Sequence, residues 1–240
     1  RLQWRSRTMH YSATGEASQR ATRARLGILC LISFATLLNY LDRAVMGVAA
    51  PSMTEELSIS PEVMGLIFSA FSWTYAAAQI PGGIVLDRLG TRITYGASLI
   101  LWSVATFLHG LASNVAMLLG FRLVLGVAEA PCFPCNSRIL STWFPQDERA
   151  RANSVFAVGQ YAGLAFFSPV LFWIVGAYGW RSLFFIAGGF GIVFGLAMYG
   201  LYREPHQSRR ANEAELARIK AGGGLAATAA APSEPFSWSN

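Results

Sequence analysis

The sequence predicts an all-α membrane protein, a six-helix bundle built from two inverted three-helix repeats. Three observations carry that prediction. Apolar residues make up 53% of the 240 residues and charged residues only 13%, about half the ~25% of a soluble domain. The apolar residues come in runs with few charges, each near the ~20 residues that span a bilayer as a helix. Landmarks in the first three runs recur in the second three. The composition excludes a disordered chain and argues against a water-soluble enzyme or a secreted disulfide scaffold. The three cysteines, Cys30, Cys132 and Cys135, all lie in apolar runs and imply no disulfide framework.

Residues 1–25 read as an N-terminal tail. The chain opens at Arg1, and its first Met is Met9, which is expected of a fragment, a tag or a misplaced start. No cleavable signal peptide is visible, because the first apolar run is too long for one and carries charges. Six spans follow, at about 26–50, 62–85, 93–112, 114–138, 153–177 and 181–202. Pro81, Pro131, Pro134 and Pro169 lie inside them, which bundled membrane helices tolerate. Residues 203–240 read as a linker. A short helix over 208–221 would end at Gly222-Gly223-Gly224, and an Ala-, Pro- and Ser-rich stretch completes the chain.

The basic residues fix an orientation. Sixteen of the nineteen fall in the tail, the 2–3 connector, the 4–5 region and the linker, whereas Arg181 alone falls on the other side. Arg43 and Arg122 lie within spans. An excess of Lys and Arg marks the cytoplasmic side, so both termini are expected there. A nucleic-acid surface would instead gather these residues on one folded face. Three spans followed by three spans place the second triplet upside down relative to the first. Asp42 and Glu129, 87 positions apart, then correspond, as do Gly90-Thr91-Arg92 and Gly179-Trp180-Arg181, 89 apart. That is the inverted repeat found in transporter halves.

An ionisable side chain at the bilayer centre costs at least ~2.5–3.5 kcal/mol on insertion scales, and such residues are functional by default. Asp42 and Arg43 in the first span and Arg122 and Glu129 in the fourth stand out. Arg122 and Glu129 are two helical turns apart and share a face. Two readings are open: ion pairs that fix helix packing, or a coupling site in which a buried carboxylate loads and releases a proton. Arg43 points away from Asp42 around the helix, and its fork suits a substrate carboxylate. Tyr40, Tyr75, Gln79 and Gln160 either line a cavity that binds hydroxyls or bond between helices. Cys132-Phe133-Pro134-Cys135 has redox-motif spacing but sits within a span, where a proline kink in packed helices is the better account.

The most specific string is Gly83-Ile84-Val85-Leu86-Asp87-Arg88-Leu89-Gly90-Thr91-Arg92. It makes a tight, charged cytoplasmic turn. Gly83 is expected to allow close helix contact and Gly90 a sharp turn. Asp87 is expected to accept from a helix N-terminus across an interface and lock it, with Arg88 and Arg92 completing the gate.

This string resembles the loop signature between the second and third helices of the major facilitator superfamily. Asn39-Tyr40-Leu41-Asp42-Arg43, Gln79-Ile80-Pro81-Gly82-Gly83, Gly126-Val127-Ala128-Glu129-Ala130-Pro131 and Trp143-Phe144-Pro145 resemble its anion:cation symporter branch, and most closely the bacterial galactonate and glucarate transporters. The resemblance implies proton-coupled uptake of a sugar-acid anion across the bacterial inner membrane, with no cofactor or metal other than the coupling proton. It implies that Asp42 and Glu129 take up protons, that Arg122 modulates Glu129, and that Arg43, Tyr75 and Gln160 face the substrate with Tyr40 nearby. The family has twelve spans, so the six here are expected to be the N-terminal half. They would need a C-terminal six-helix half as partner, besides the lipid bilayer and the small anion, and would not transport alone. The alternatives are transport of another organic anion, such as an aromatic acid, and a six-span membrane sensor or anchor. The residues after Arg203 are too few and too polar for a soluble output domain.

Overall fold

The computed structural model describes residues 21–224. The tail before residue 21 and the linker beyond residue 224 lie outside the described residues. The elements are α1 (Ala24–Glu56), α2 (Pro61–His109), α3 (Val115–Glu129), α4 (Cys132–Trp143), α5 (Gln146–Tyr178), α6 (Trp180–Leu201), a 3₁₀ turn at Pro205–Gln207, and α7 (Glu213–Ala221). Five segments are long and apolar enough to cross a membrane, with α3 and α4 joined as Val115–Trp143.

The spans expected at 62–85 and 93–112 are joined in α2. An unbroken helix of its 49 residues would be about 73 Å long, more than twice a ~30 Å hydrocarbon core. Gly90 breaks it, with φ 76° and ψ 166°, a backbone conformation essentially reserved for glycine. The Thr94 hydroxyl bonds the Val85 carbonyl at 3.5 Å across the turn, so α2 crosses twice. Gly179, between α5 and α6, has φ 78° and ψ 165°. The two landmark glycines thus share one backbone conformation. The arginines that follow also behave alike. Arg92 donates to the Tyr199 carbonyl and stacks on the Tyr199 ring, and Arg181 donates to the Ala112 carbonyl and stacks on Trp180.

The fourth span is kinked. Pro131 and Pro134 each lack an N–H for the helical ladder, and α3 stops at Glu129 while α4 starts at Cys132. Ala130 and Pro131 keep right-handed helical dihedrals, so the axis bends without unwinding. Cys132 and Cys135 are buried free thiols in α4.

Small residues set the helix spacing, as is usual in membrane bundles. A Cβ on Gly188 would lie 2.5 Å from the Phe107 nitrogen, and one on Gly195 3.2 Å from the Ile100 nitrogen, so α6 packs directly on the second arm of α2. On the first arm the close contact belongs to Gly82, whose Cβ would meet Pro131 at 3.1 Å. Gly83, the expected contact glycine, has open space around it. It lies one helical step round from Gly82 and so faces away from Pro131.

The linker helix runs from Glu213, a turn later than the sequence suggests, because the Asn212 side chain caps it by accepting from Glu215 N. Glu215 is fully buried and accepts from the Thr22 hydroxyl, the Ala24 and Arg25 backbone and the Arg25 side chain. Glu148 binds both Arg25 and Arg218. These bonds hold α7 against the starts of α1 and α5.

Candidate functional site: a charged layer in the middle of the bundle

The apolar core is two clusters. One gathers around Ile32, Leu99 and Trp143, the other around Met46, Met53 and Phe184. Asp42 and Arg43 fall between them along α1 and Arg122 does so along α3, while Glu129 lies two turns further on, beside Ala128 and Cys132 of the first cluster.

Gly126 positions this layer. A Cβ there would lie 2.5 Å from the Phe71 carbonyl and 2.9 Å from the Tyr75 nitrogen. Without one, α3 sits on the backbone of α2, and Glu129, one turn later, comes beside Phe71, Tyr75 and α1. Arg43 reaches it from α1. Its Nη2 donates to Glu129 Oε1 at 2.5 Å and its Nε donates to the same oxygen at 3.2 Å. Glu129 is fully buried, whereas the Arg43 side chain keeps 34% of its exposure. Its Cζ lies 5.1 Å from the centres of the Tyr40 and Phe71 rings and 5.3 Å from that of Tyr75. A guanidinium ringed by aromatic faces is well held and still able to donate.

The other oxygen, Glu129 Oε2, is buried without a hydrogen-bond partner. Asn39 lies beside it, yet neither polar atom of the Asn39 side chain completes a bond. Arg122 is buried and forms no ion pair among the described residues. Its Cζ lies 5.6 and 5.5 Å from the rings of Phe68 and Phe71, its Nε lacks a partner, and its charge acts on both Asp42 and Glu129. Sharing a face with Glu129 therefore gives Arg122 a long-range interaction, and the direct bond belongs to Arg43. Asp42 points elsewhere and accepts from the Thr106 hydroxyl at 3.3 Å. It also borders an apolar cavity of about 230 Å³ between α1, α2, α5 and α6.

Gln160 is buried in α5, but no bond joins it to the Arg43 cluster among the described residues. The nearest link is its neighbour Tyr161, whose ring meets Tyr40 edge-on at 6.3 Å. Gln79 lies within reach of Tyr75. At the turn, Asp87 pairs with Arg138 of α4 at 3.2 Å, a partner within this bundle, while Arg88 is exposed. Sequence reasoning missed Phe71, Asn39 and Thr106 as site neighbours. Neither Thr106 nor Phe71 had a distinguishing signal: Thr106 shares its span with the hydroxyls of Thr94, Ser98 and Ser103, and Phe71 is one of many aromatic residues in the spans.

A bundle of membrane-crossing helices with a charged middle layer is the architecture of a multi-pass membrane transporter. Comparison with known proteins gives the family. The Major Facilitator Superfamily profile matches residues 32–239, and the chain belongs to that family, which carries solutes and is not enzymatic. The D-galactonate transporter of Escherichia coli O6:H1 (strain CFT073) is 42% identical over 203 residues, covering 85% of this chain and 47% of that protein. The probable galactarate/D-glucarate transporter GudP of Escherichia coli K12 is 39% identical over 220 residues, covering 89% and 49%. The crystal structure of a bacterial homologue of the human lysosomal transporter Spinster, inward-facing and occupied, superposes with a TM-score of 0.66. It is 28% identical and covers 75% of this chain and 45% of that one. The chain spans about half the length of the curated relatives it matches.

Proposed function

We propose that the chain is the N-terminal half of a symporter that carries a sugar-acid anion such as galactonate or glucarate into a bacterial cell together with protons. The substrate class rests on the names of the relatives. The coupling rests on one observation: Glu129, fully buried, holds Arg43 through a single oxygen, and about a third of the Arg43 side chain stays exposed. A substrate carboxylate arriving there competes with Glu129 for the guanidinium, because a planar fork is the best partner for either. Glu129 then stands buried without its cation. An unpaired carboxylate is very costly there, so it takes a proton. Anion binding and proton binding are thereby linked. Arg122, which acts on both acids, tunes Glu129, and Asp42 serves as the second proton acceptor. Tyr40, Tyr75 and Gln160 contact the substrate. Gly83, Asp87, Arg88, Gly90 and Arg92 form the cytoplasmic gate against the C-terminal six-helix half. Both termini of the segment face the cytoplasm, in the inner membrane.

The test is uptake of radiolabelled galactonate by the intact transporter in proteoliposomes. Accumulation driven by an inward proton gradient, unchanged when sodium is replaced by potassium, is the expected result. Accumulation that follows a sodium gradient and ignores the proton gradient refutes the coupling.

A further inference from the structure

Two connected recesses lie where the start of α1 meets the end of α6. The first, about 290 Å³, is lined by Gly27, Ile28, Leu31 and Leu201 on one side and by Arg23, Arg203 and Arg210 on the other. The second, about 480 Å³, continues around Arg203, Gln207, Arg209 and Arg210. Four guanidiniums line them, with no carboxylate among the described lining residues. None of the four forms an ion pair among the described residues, whereas nearby Arg25 and Arg218 are both bound to Glu148. Glu148 is thus already used, as is Glu215, which pairs with Arg25. Glu204, next in sequence to Arg203, lines neither recess. Arg203 donates to the Tyr199 and Tyr202 carbonyls at 3.2 and 2.7 Å. That covers carbonyls at the negative end of α6, which would otherwise repel an anion.

Four like charges around one recess call for an anion. The apolar half of the site says which kind. Gly27 leaves open space on α1, and exposed Leu26 and Leu201 continue the apolar surface along the helices. We infer that this corner binds an anionic phospholipid of the cytoplasmic leaflet, with its phosphate among Arg203, Arg209 and Arg210 and an acyl chain along Gly27, Ile28 and Leu31. The site lies on the side that the basic residues assign to the cytoplasm. There, basic pockets between spans are suited to acidic headgroups. The inference depends on the bundle spanning a bilayer and not on what is carried.

Native mass spectrometry of the intact protein in neutral detergent tests it, with phosphatidylglycerol, phosphatidylcholine of the same chains and inorganic phosphate as probes. The unaltered protein should retain phosphatidylglycerol in preference to phosphatidylcholine. Arg203→Gln with Arg210→Gln should reduce that retention by roughly tenfold. Gly27→Leu, which keeps every charge and fills the apolar recess, should reduce it as well. If the double variant does not fold, Gly27→Leu decides alone. An unchanged preference in either variant overturns the proposal. So does displacement of phosphatidylglycerol by inorganic phosphate at equal concentration, which would make this a soluble-phosphate site.

Discussion

Arg43 Nη2 and Glu129 Oε1 lie 2.5 Å apart, joining α1 to α3 across 86 positions of sequence. The bond pairs a fully buried acid with a base that is still partly open, so one partner is fixed and the other is available. That asymmetry is what the proposed exchange of Arg43 between Glu129 and a substrate carboxylate requires. Asp42, although adjacent to Arg43 in sequence, bonds Thr106.

Arg43→Lys in the intact transporter should weaken galactonate binding by roughly tenfold or more, the effect of losing a charged hydrogen bond. An uncharged sugar alcohol should compete poorly in both proteins. If Arg43 only neutralises Glu129, then Arg43→Gln combined with Glu129→Gln restores the binding lost in Arg43→Gln. Isothermal titration of the variants separates the two accounts.

Gly90→Ala and Gly179→Ala should each destabilise the bundle by about 1–3 kcal/mol, since both backbones occupy a region closed to side chains. Gly83→Ala, in a helix with open space around it, should be neutral or slightly stabilising. Thermal unfolding in detergent ranks the three. Equal melting temperatures would mean that both turns rearrange at no cost.

A methyl group on Gly126 would meet the backbone of α2, which cannot move aside as a side chain does. Gly126→Ala should therefore push α3 away, cost about 1–3 kcal/mol, and impair transport by moving Glu129 off Arg43. Gly120→Ala, with nothing within 4 Å, serves as the control. Normal transport by Gly126→Ala would show that the Arg43–Glu129 geometry tolerates displacement.

In a protein with its three cysteines replaced, Glu62→Cys should react with an impermeant maleimide from outside whole cells. Asp147→Cys should react only after permeabilisation. Both positions are exposed. The reverse pattern would invert the bundle and with it the assignment of the Asp87 turn and α7 to the cytoplasm.

Much of the architecture was legible because lipid imposes simple rules. Apolar length marks the membrane-crossing segments, and Gly90 and Gly179 mark turns that only glycine makes. Residues costly to bury, Asp42, Arg43, Arg122 and Glu129, announced the charged layer. Partner choice was not legible. Spacing on one helix suggested Arg122 for Glu129, but the pair forms between helices, and the approach at Gly126 that sets it depends on tertiary packing. Gly82 and Gly83 show the same limit, because adjacent glycines look alike until a neighbour such as Pro131 selects one. Asn212 capped α7 where composition alone suggested an earlier start.

The central claim is that Glu129 takes a proton when the substrate takes Arg43. Proton influx measured with a trapped pH dye, when galactonate is added to proteoliposomes of the intact transporter, tests it most directly. The account predicts influx with the unaltered protein. With Glu129→Gln, and likewise Asp42→Asn, it predicts no galactonate-driven influx and no accumulation, while exchange of labelled for unlabelled galactonate continues because the amide mimics the protonated acid. Galactonate-driven proton influx with accumulation against a gradient in Glu129→Gln would contradict it and leave Glu129 a structural residue.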